Sequence, residues 1–346
     1  EFYTQAAFID GGIQKCRFGP SYRAFVDRFF YIDRGPEGKW FRPKKFKSSA
    51  LRKEFMNHAG VFTVRRTKEE ELDLPPKTYH LIEATFEGGI EQKLYKFLLA
   101  LKKNEINEMS DADVSNIDPA LLFLRMRQLI SHPNNLVASY QRALASKAEA
   151  ERIKLEALRK GEKPRSVKIE NEDVLAIPED MIQELASFLK DGGMPVKLSL
   201  LVDHVDDIMA DPEEKLIIGC DFQETERAIV EALAPYNPIW FSSSLNDEER
   251  LEAEEAFQKD VSRRILVANS ATICEGLTLT AARHMILYDP ATSYSTRTWL
   301  QVQDRIYRPG QTRNVIISHL VLANSIDVYG LSRVISEAKE ASRLLR

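Results

Sequence analysis

The sequence predicts an α/β protein built on a doubly wound parallel sheet, and three observations lead there. Short apolar runs at 215–220, 238–241, 264–268, 284–288 and 315–321 have the length and continuity of strands buried on both faces. Helical patterns alternate with most of them, and such repetition puts ligands at the carboxyl ends of the strands. A chain of 346 residues, 44% hydrophobic and 29% charged, has the composition of a globular protein with room for roughly two domains.

The same numbers exclude several classes. No apolar run approaches the roughly 20 residues needed to cross a bilayer, and the first residues lack the basic start and apolar stretch of a signal peptide. Cys16, Cys220 and Cys274 are far apart and odd in number. They offer neither a disulfide framework nor a metal knuckle, which points to a reducing, intracellular compartment. The formal net charge of -4 rules out whole-molecule attraction to nucleic acid, so any such contact must come from local patches. The first residue is Glu1 rather than Met, the pattern expected of a fragment or a processed chain.

Residues 1–74 hold short aromatic-rich segments. Phe25, Phe29 and Phe30 recur at helical spacing, which predicts an amphipathic helix over 22–30 with a buried face. Between Lys39 and Lys53 a basic run that includes Lys44, Lys45 and Lys47 contains no acid and is interleaved with Trp40, Phe41 and Phe46. Such a run suits a phosphate backbone, and equally a solvated loop. A strand over 61–64, the basic cluster Arg65-Arg66-Thr67-Lys68 and the pair Pro75-Pro76 of an extended connector follow.

Residues 78–86 alternate as a strand, and 90–101 read as a helix with Leu94, Phe97, Leu98 and Leu101 on one side. A further helix over 119–136 carries Leu124-Arg-Met-Arg-Gln-Leu-Ile-Ser-His-Pro133. His132 has no Asp, Cys or Ser partner in a recognisable pattern and reads as a packing or capping group. Residues 138–160 are charged almost all round, with Glu156 and Lys160 in the favourable i, i+4 order. This predicts a projecting helix held by charge pairs and open to a protein partner.

In the sheet region Asn246 and Glu249 form a capping-box pattern at the start of a helix. Ser242, Ser243 and Ser244 lie between a strand and that helix, where amides and hydroxyls suit an anion such as a DNA phosphate; a plain loop fits as well. A helix over 294–307 would set Gln301, Arg305 and Arg308 at i, i+4 and i+7 with Asp304 beside them, ended by Pro309 and Gly310. Two guanidiniums on one stripe suit a phosphate; a solvated charged face is the plain alternative.

The stretch Gln301-Val-Gln-Asp-Arg-Ile-Tyr-Arg-Pro-Gly-Gln311 resembles the last motif of the superfamily-two helicase-like ATPases, in the form used by SWI/SNF-type DNA translocases. The resemblance implies that Arg305 and Arg308 are arginine fingers reaching a triphosphate held on another motor lobe, with Gln301 and Asp304 on the nucleotide side. A fixed cation there stabilises the charge that spreads over a transferring phosphoryl group. Residues 64–77 resemble the junction where that family's first lobe ends, and 124–133 its bracing helix between lobes. Asn269-Ser-Ala-Thr-Ile-Cys-Glu-Gly-Leu-Thr-Leu-Thr-Ala-Ala282 resembles its fifth motif. That implies DNA-backbone contacts from Ser270 and Thr272, and a turn shaped near the nucleotide by Glu275 and Gly276. Ile273 and Cys274 stand where the family often has two glycines, and Thr278 where it often has Asn.

By this resemblance the sheet is RecA-like and is a second motor lobe, 195–346. It is preceded by a linker strand, bracing helices and protrusion in 75–194 and by the tail of a first lobe in 1–74. No G-x-x-x-x-G-K-[ST] phosphate loop occurs in the sequence, and Asp247-Glu248 opens a helix rather than closing a strand. ATP and Mg2+ are therefore expected to be bound mainly by a first lobe in the same or another chain, with double-stranded DNA as the other partner. The alternative is a non-catalytic nucleic-acid- or protein-binding module derived from such a lobe.

Overall fold

A computed structural model describes residues 2–10, 15–18, 20–34, 41–60, 72–103, 118–160, 163, 166–274, 276–290 and 296–344. They fall into two compact units, one of 1–72 with 338–346 and one of 73–337. The strand expected over 61–64 and the basic cluster after it lie outside the described residues.

The smaller unit contains α1 (Phe2–Ile9), α2 (Tyr22–Phe29), β1 (Phe30–Arg34), β2 (Phe41–Phe46) and α3 (Ser49–Gly60). Ser21 caps α2 by accepting the Ala24 N–H at 3.1 Å. The face of α2 formed by Phe25, Val26 and Phe29 is buried. The rings of Phe18, Phe25, Phe29 and Phe55 stand 5.4–6.2 Å apart in tilted and edge contacts that build an aromatic core. The basic run does not form a loop: Lys44 and Lys45 are on β2, antiparallel to β1, and Lys47 follows it. Lys45 and Lys47 are exposed.

The larger unit runs β3 (Lys77–Ala84), α4 (Gly89–Lys103), α5 (Pro119–Ser131), α6 (Asn134–Arg159), α7 (Glu179–Lys190), α8 (Val196–Met209), β4 (Leu216–Cys220), α9 (Gln223–Ala232), β5 (Ile239–Phe241), α10 (Asp247–Lys259), β6 (Ile265–Asn269), α11 (Ser270–Ile273), β7 (His284–Leu287), α12 (Thr296–Gln303), β8 (Val315–Leu322) and, as far as residue 337, α13 (Ile326–Leu344). All five apolar runs form strands. The sheet has six strands in the order β3-β8-β7-β4-β6-β5, and every neighbouring pair is parallel. Each crossover is helical, which is how a parallel sheet covers both faces. The strand at 77–84 pairs with β8 in register from Lys77–Val315 to Ala84–Leu322 and forms the sheet's edge.

Helices α4 to α7 share an apolar core that includes Leu94, Leu98, Met126, Leu129, Leu136 and Leu185. A buried polar seam ties α5 to the sheet. Ser131 donates to Asp289 Oδ2 at 2.9 Å and shares a 2.7 Å bond with the Thr225 hydroxyl. The same Asp289 oxygen accepts the Asp221 N–H at 2.8 Å, and Arg127 pairs with the Asp221 carboxylate. Lys197, on α8, is 3.6 Å from Asp289 and 2.9 Å from Asp327. His132 links two helices: its backbone N–H bonds Gln128 O at the end of α5, its Nδ1 accepts the Asn134 N–H at 3.2 Å at the start of α6, and burial lowers its pKa to about 4.

Candidate functional site

The segment 301–311 is built differently from the helix its pattern predicts. α12 ends at Gln303, where the Arg305 N–H shortens its bond to Val302 O; the Arg305 carbonyl, whose helical partner would be Pro309 with no N–H to give, accepts the Leu279 N–H at 3.1 Å from a neighbouring segment. Beyond it the chain winds through a turn: Arg305 N–H bonds Val302 O at 3.1 Å, and Gln311 N–H closes on Arg308 O at 3.0 Å. Gly310 sits at φ +101 inside that turn and does not cap the helix. Arg305 and Arg308 thus project from an irregular turn, not from consecutive rungs of one stripe.

The turn is latched onto 274–282. Arg305 Nη2 donates to the Cys274 carbonyl. Arg308 Nη1 donates to Leu277 O and to Thr278 Oγ1, each at 3.2 Å. The Gln311 amide donates to Ala282 O at 2.8 Å and Thr280 O at 3.2 Å. Gly276, at φ +84, gives this facing segment its bend, and a side chain there would meet backbone strain with no steric contact to relieve. Every group that holds the two arginines is neutral. Among the described residues neither guanidinium has an ion-pair partner, and Arg305 Nε is buried without a hydrogen-bond acceptor. The site therefore presents two positive charges that its own described neighbours do not offset. Gln301 and Asp304 are half-buried beside them, and Glu275 lies outside the described residues.

Residues far apart in the chain position α12, and sequence patterns alone do not reveal them. Trp299 Nε1–H donates to His319 Nε2 at 3.1 Å, an acceptor available because burial lowers the His319 pKa to about 4 and keeps the ring neutral. Tyr79, on β3, stacks on Trp299 with centroids 6.1 Å apart and an interplanar angle of 11°, and its hydroxyl donates to Gln303 Oε1 at 2.8 Å. Gln303 is fully buried, one residue before the turn. This relay exists only because β3 and β8 are neighbours in the sheet. Aromatic enrichment at 79 and 299 is the only trace of it in the sequence.

The serines and threonine expected to touch DNA are split between surface and interior. Ser243 is exposed, whereas Ser242 is buried, with its hydroxyl bonded to Ser244 Oγ at 3.0 Å. The capping box of α10 is present: Asn246 Oδ1 accepts the Glu249 N–H and Glu249 Oε2 accepts the Asn246 N–H, both at 2.9 Å. Asn269 caps α11 by accepting the Ala271 N–H at 3.0 Å. Ser270 and Thr272 are turned inward, and Ser270 donates to Cys220 O at 3.4 Å, so these two side chains do not face solvent. Cys16, Cys220 and Cys274 are free thiols. Among the described residues no group of three or more His, Cys, Asp or Glu is arranged to hold a metal ion, and no helix is long and apolar enough to cross a membrane.

Residues 196–310 match the family described as helicase conserved C-terminal domain. The human lymphoid-specific helicase is 32% identical over 107 residues, covering 31% of this chain and 12% of that protein. Protein CHROMATIN REMODELING 24 of Arabidopsis thaliana is 29% identical over 168 residues, covering 44% of this chain and 15% of that protein. The match thus spans a small part of each relative. In fold, the chain is similar to the solved C-terminal part of the Fun30 ATPase domain, with a TM-score of 0.52 at 19% identity, over 75% of this chain and 90% of that one.

Proposed function

From a chain that carries a helicase C-terminal domain of the SWI/SNF type on a RecA-like sheet, we propose the second half of an ATP-dependent translocase of double-stranded DNA. Arg305 and Arg308 are the fingers that complete a nucleotide site whose phosphate loop and magnesium ligands belong to a first lobe. On this reading residues 1–74 are the tail of that first lobe, 75–194 the brace and protrusion, and 195–346 the second lobe, whose sheet β3 completes.

The observation that supports this most is electrostatic. Among the described residues the two guanidiniums are held in place by neutral groups, which leave their full charge for a ligand. A triphosphate is such a ligand, and a guanidinium fixed before the reaction costs no reorganisation in the transition state. Closing the cleft on ATP would bring the fingers to the γ-phosphate, and reopening after hydrolysis would let the lobes step along DNA. Gln301 and Asp304 line the nucleotide side, with Glu275 and Gly276 in the facing segment. Mg2+ would be held by the nucleotide and the first lobe. Lys44, Lys45, Lys47 and Ser243 are the DNA-backbone contacts, and Ser242, Ser270 and Thr272 act by shaping the loops that meet it. DNA as the track implies work inside the cell.

The test is DNA-stimulated ATP turnover of this chain joined to its first lobe. Arg305→Ala and Arg308→Ala should each lower turnover by about 10³-fold or more while DNA affinity holds, and Arg308→Lys should restore little of it. Unchanged turnover in both alanine variants would reject the finger assignment. Replacing Lys44, Lys45 and Lys47 by Ala should weaken DNA binding for all sequences. It should also flatten the salt dependence, by about 0.9 in log–log slope for each phosphate that is no longer neutralised.

A further inference from the structure

Helix α6 has two apolar faces, and only one is covered. At about 100° per residue, Ala143, Ser146, Ala150, Ile153 and Ala157 line one side. That side is occupied: Ala143 is fully buried, and Ser146 Oγ accepts the Glu170 N–H at 3.0 Å. On the opposite side Leu144, Ala148, Leu155 and Leu158 follow the spacing of a coiled-coil seam, with Glu151 between them. The three leucines of this second seam are 43%, 59% and 55% exposed. The seam spans about 21 Å at ~1.5 Å per residue, enough for two heptads of a facing helix.

The charges beside the two sides are also used differently. Away from the leucines stand Glu149, Glu156 and Lys160: Lys160 bonds Glu156 at 2.8 Å, and Glu149 takes Arg152, which is one heptad before Arg159 on the leucine flank, at 2.7 Å, so these charges are spent within the helix. Beside the leucines stand Lys147 and Lys154 on one flank and Arg159 on the other, and among the described residues none of the three has an ion-pair partner. An apolar seam with basic flanks calls for an apolar seam with acidic flanks.

We propose that the outer seam of α6, Leu144 to Leu158, docks an acidic amphipathic helix of a partner protein. Leucines fill its groove, and carboxylates at the flanking positions meet Lys147, Lys154 and Arg159. A second copy of this chain is disfavoured, since self-pairing sets the basic flanks against each other. Nucleic acid has no use for the leucines. A lipid surface calls for a broader apolar face with aromatic residues than this narrow stripe offers. The surface is independent of the motor reading, because its occupation requires no nucleotide site.

The test uses the whole chain and a fluorescent synthetic helix of three heptads, leucine at the core positions and glutamate at the flanks, read by anisotropy. The acidic helix should bind, and its lysine-flanked counterpart should not. Replacing Leu155→Gln and Leu158→Gln together should weaken binding about tenfold or more without moving the unfolding midpoint, since both side chains are already exposed. Equal binding of both peptides, or binding that survives the double substitution, would overturn the proposal. So would self-association, or attachment to phosphatidylserine vesicles, that the same double substitution abolishes.

Discussion

Replacing Lys197 with Met removes the buried cation that faces Asp327 and Asp289. Lys197 is 2% exposed and Asp327 1%, with Nζ 2.9 Å from Asp327 Oδ2, 3.6 Å from Asp289 Oδ1 and 4.7 Å from the centre of the Tyr288 ring. Met keeps most of the side-chain volume, so little cavity opens and the effect is electrostatic. Leaving buried carboxylates without their cation costs about 3–5 kcal/mol, whereas a surface pair of the same geometry would contribute only about 0–1 kcal/mol. Urea unfolding followed by tryptophan fluorescence separates these cases, since Trp240 and Trp299 both report on this unit. Burial holds the Asp327 carboxyl above the ordinary carboxylate range while Lys197 pulls it down, so loss of the lysine lets it climb further. A carboxyl raised in the folded state favours folding most below its unfolded pKa, and that advantage is lost as pH rises through the folded value. The deficit of the variant should therefore be largest at neutral pH and shrink on acidification. Adding Asp327→Asn should recover part of it. A deficit below about 1 kcal/mol that is equal at pH 7 and pH 5 would refute the argument, because a buried pair cannot be that cheap to break.

Three further outcomes are expected. The pKa of His319 is lowered to about 4 by burial, so its contribution is present above about 6.5 and lost as pH falls toward 4, at up to about 1.4 kcal/mol per unit. His319→Gln should flatten the fall of stability across that window, and an unchanged slope would show that the ring is not kept neutral. Tyr79→Phe removes the hydrogen bond to Gln303 and should cost about 1–3 kcal/mol. Gln303→Met in the same background should restore most of the loss, because both ends are then apolar. Gly276→Val should destabilise by about 1–2 kcal/mol in thermal unfolding through its φ of +84 alone, with Gly276→Asn milder; a neutral Val would mean the turn is free to change.

Much of the fold was legible because continuous apolar runs flanked by helical periodicity have few physical solutions. Strands β4 to β8 follow from that pattern, and the capping box at Asn246 follows from two residue types at one spacing. The motif at 301–311 carries the resemblance to helicase-like ATPases, and the same local chemistry drew attention to Arg305 and Arg308. Its geometry did not follow. The helix gives way to a turn after Gln303, and the Arg305 carbonyl, left without a helical partner by Pro309, is taken by Leu279 of another segment. The basic run around Lys45 reads as a loop by composition and is a strand because β1 pairs with it.

Residue type and spacing, acting over a few turns of chain, determined the α/β class, most of the strands and the charge pairs of α6, and placed Arg305 and Arg308 three residues apart. Tertiary structure decided how those arginines are held, that β3 closes the sheet edge beside β8, that Lys197 meets two carboxylates, and that a leucine seam on α6 is left uncovered. Local preferences are set by a residue and its near neighbours. A carbonyl's acceptor role, a lysine's counterion and a leucine's cover depend on segments that meet only after the chain has folded, and no periodicity within one segment encodes them.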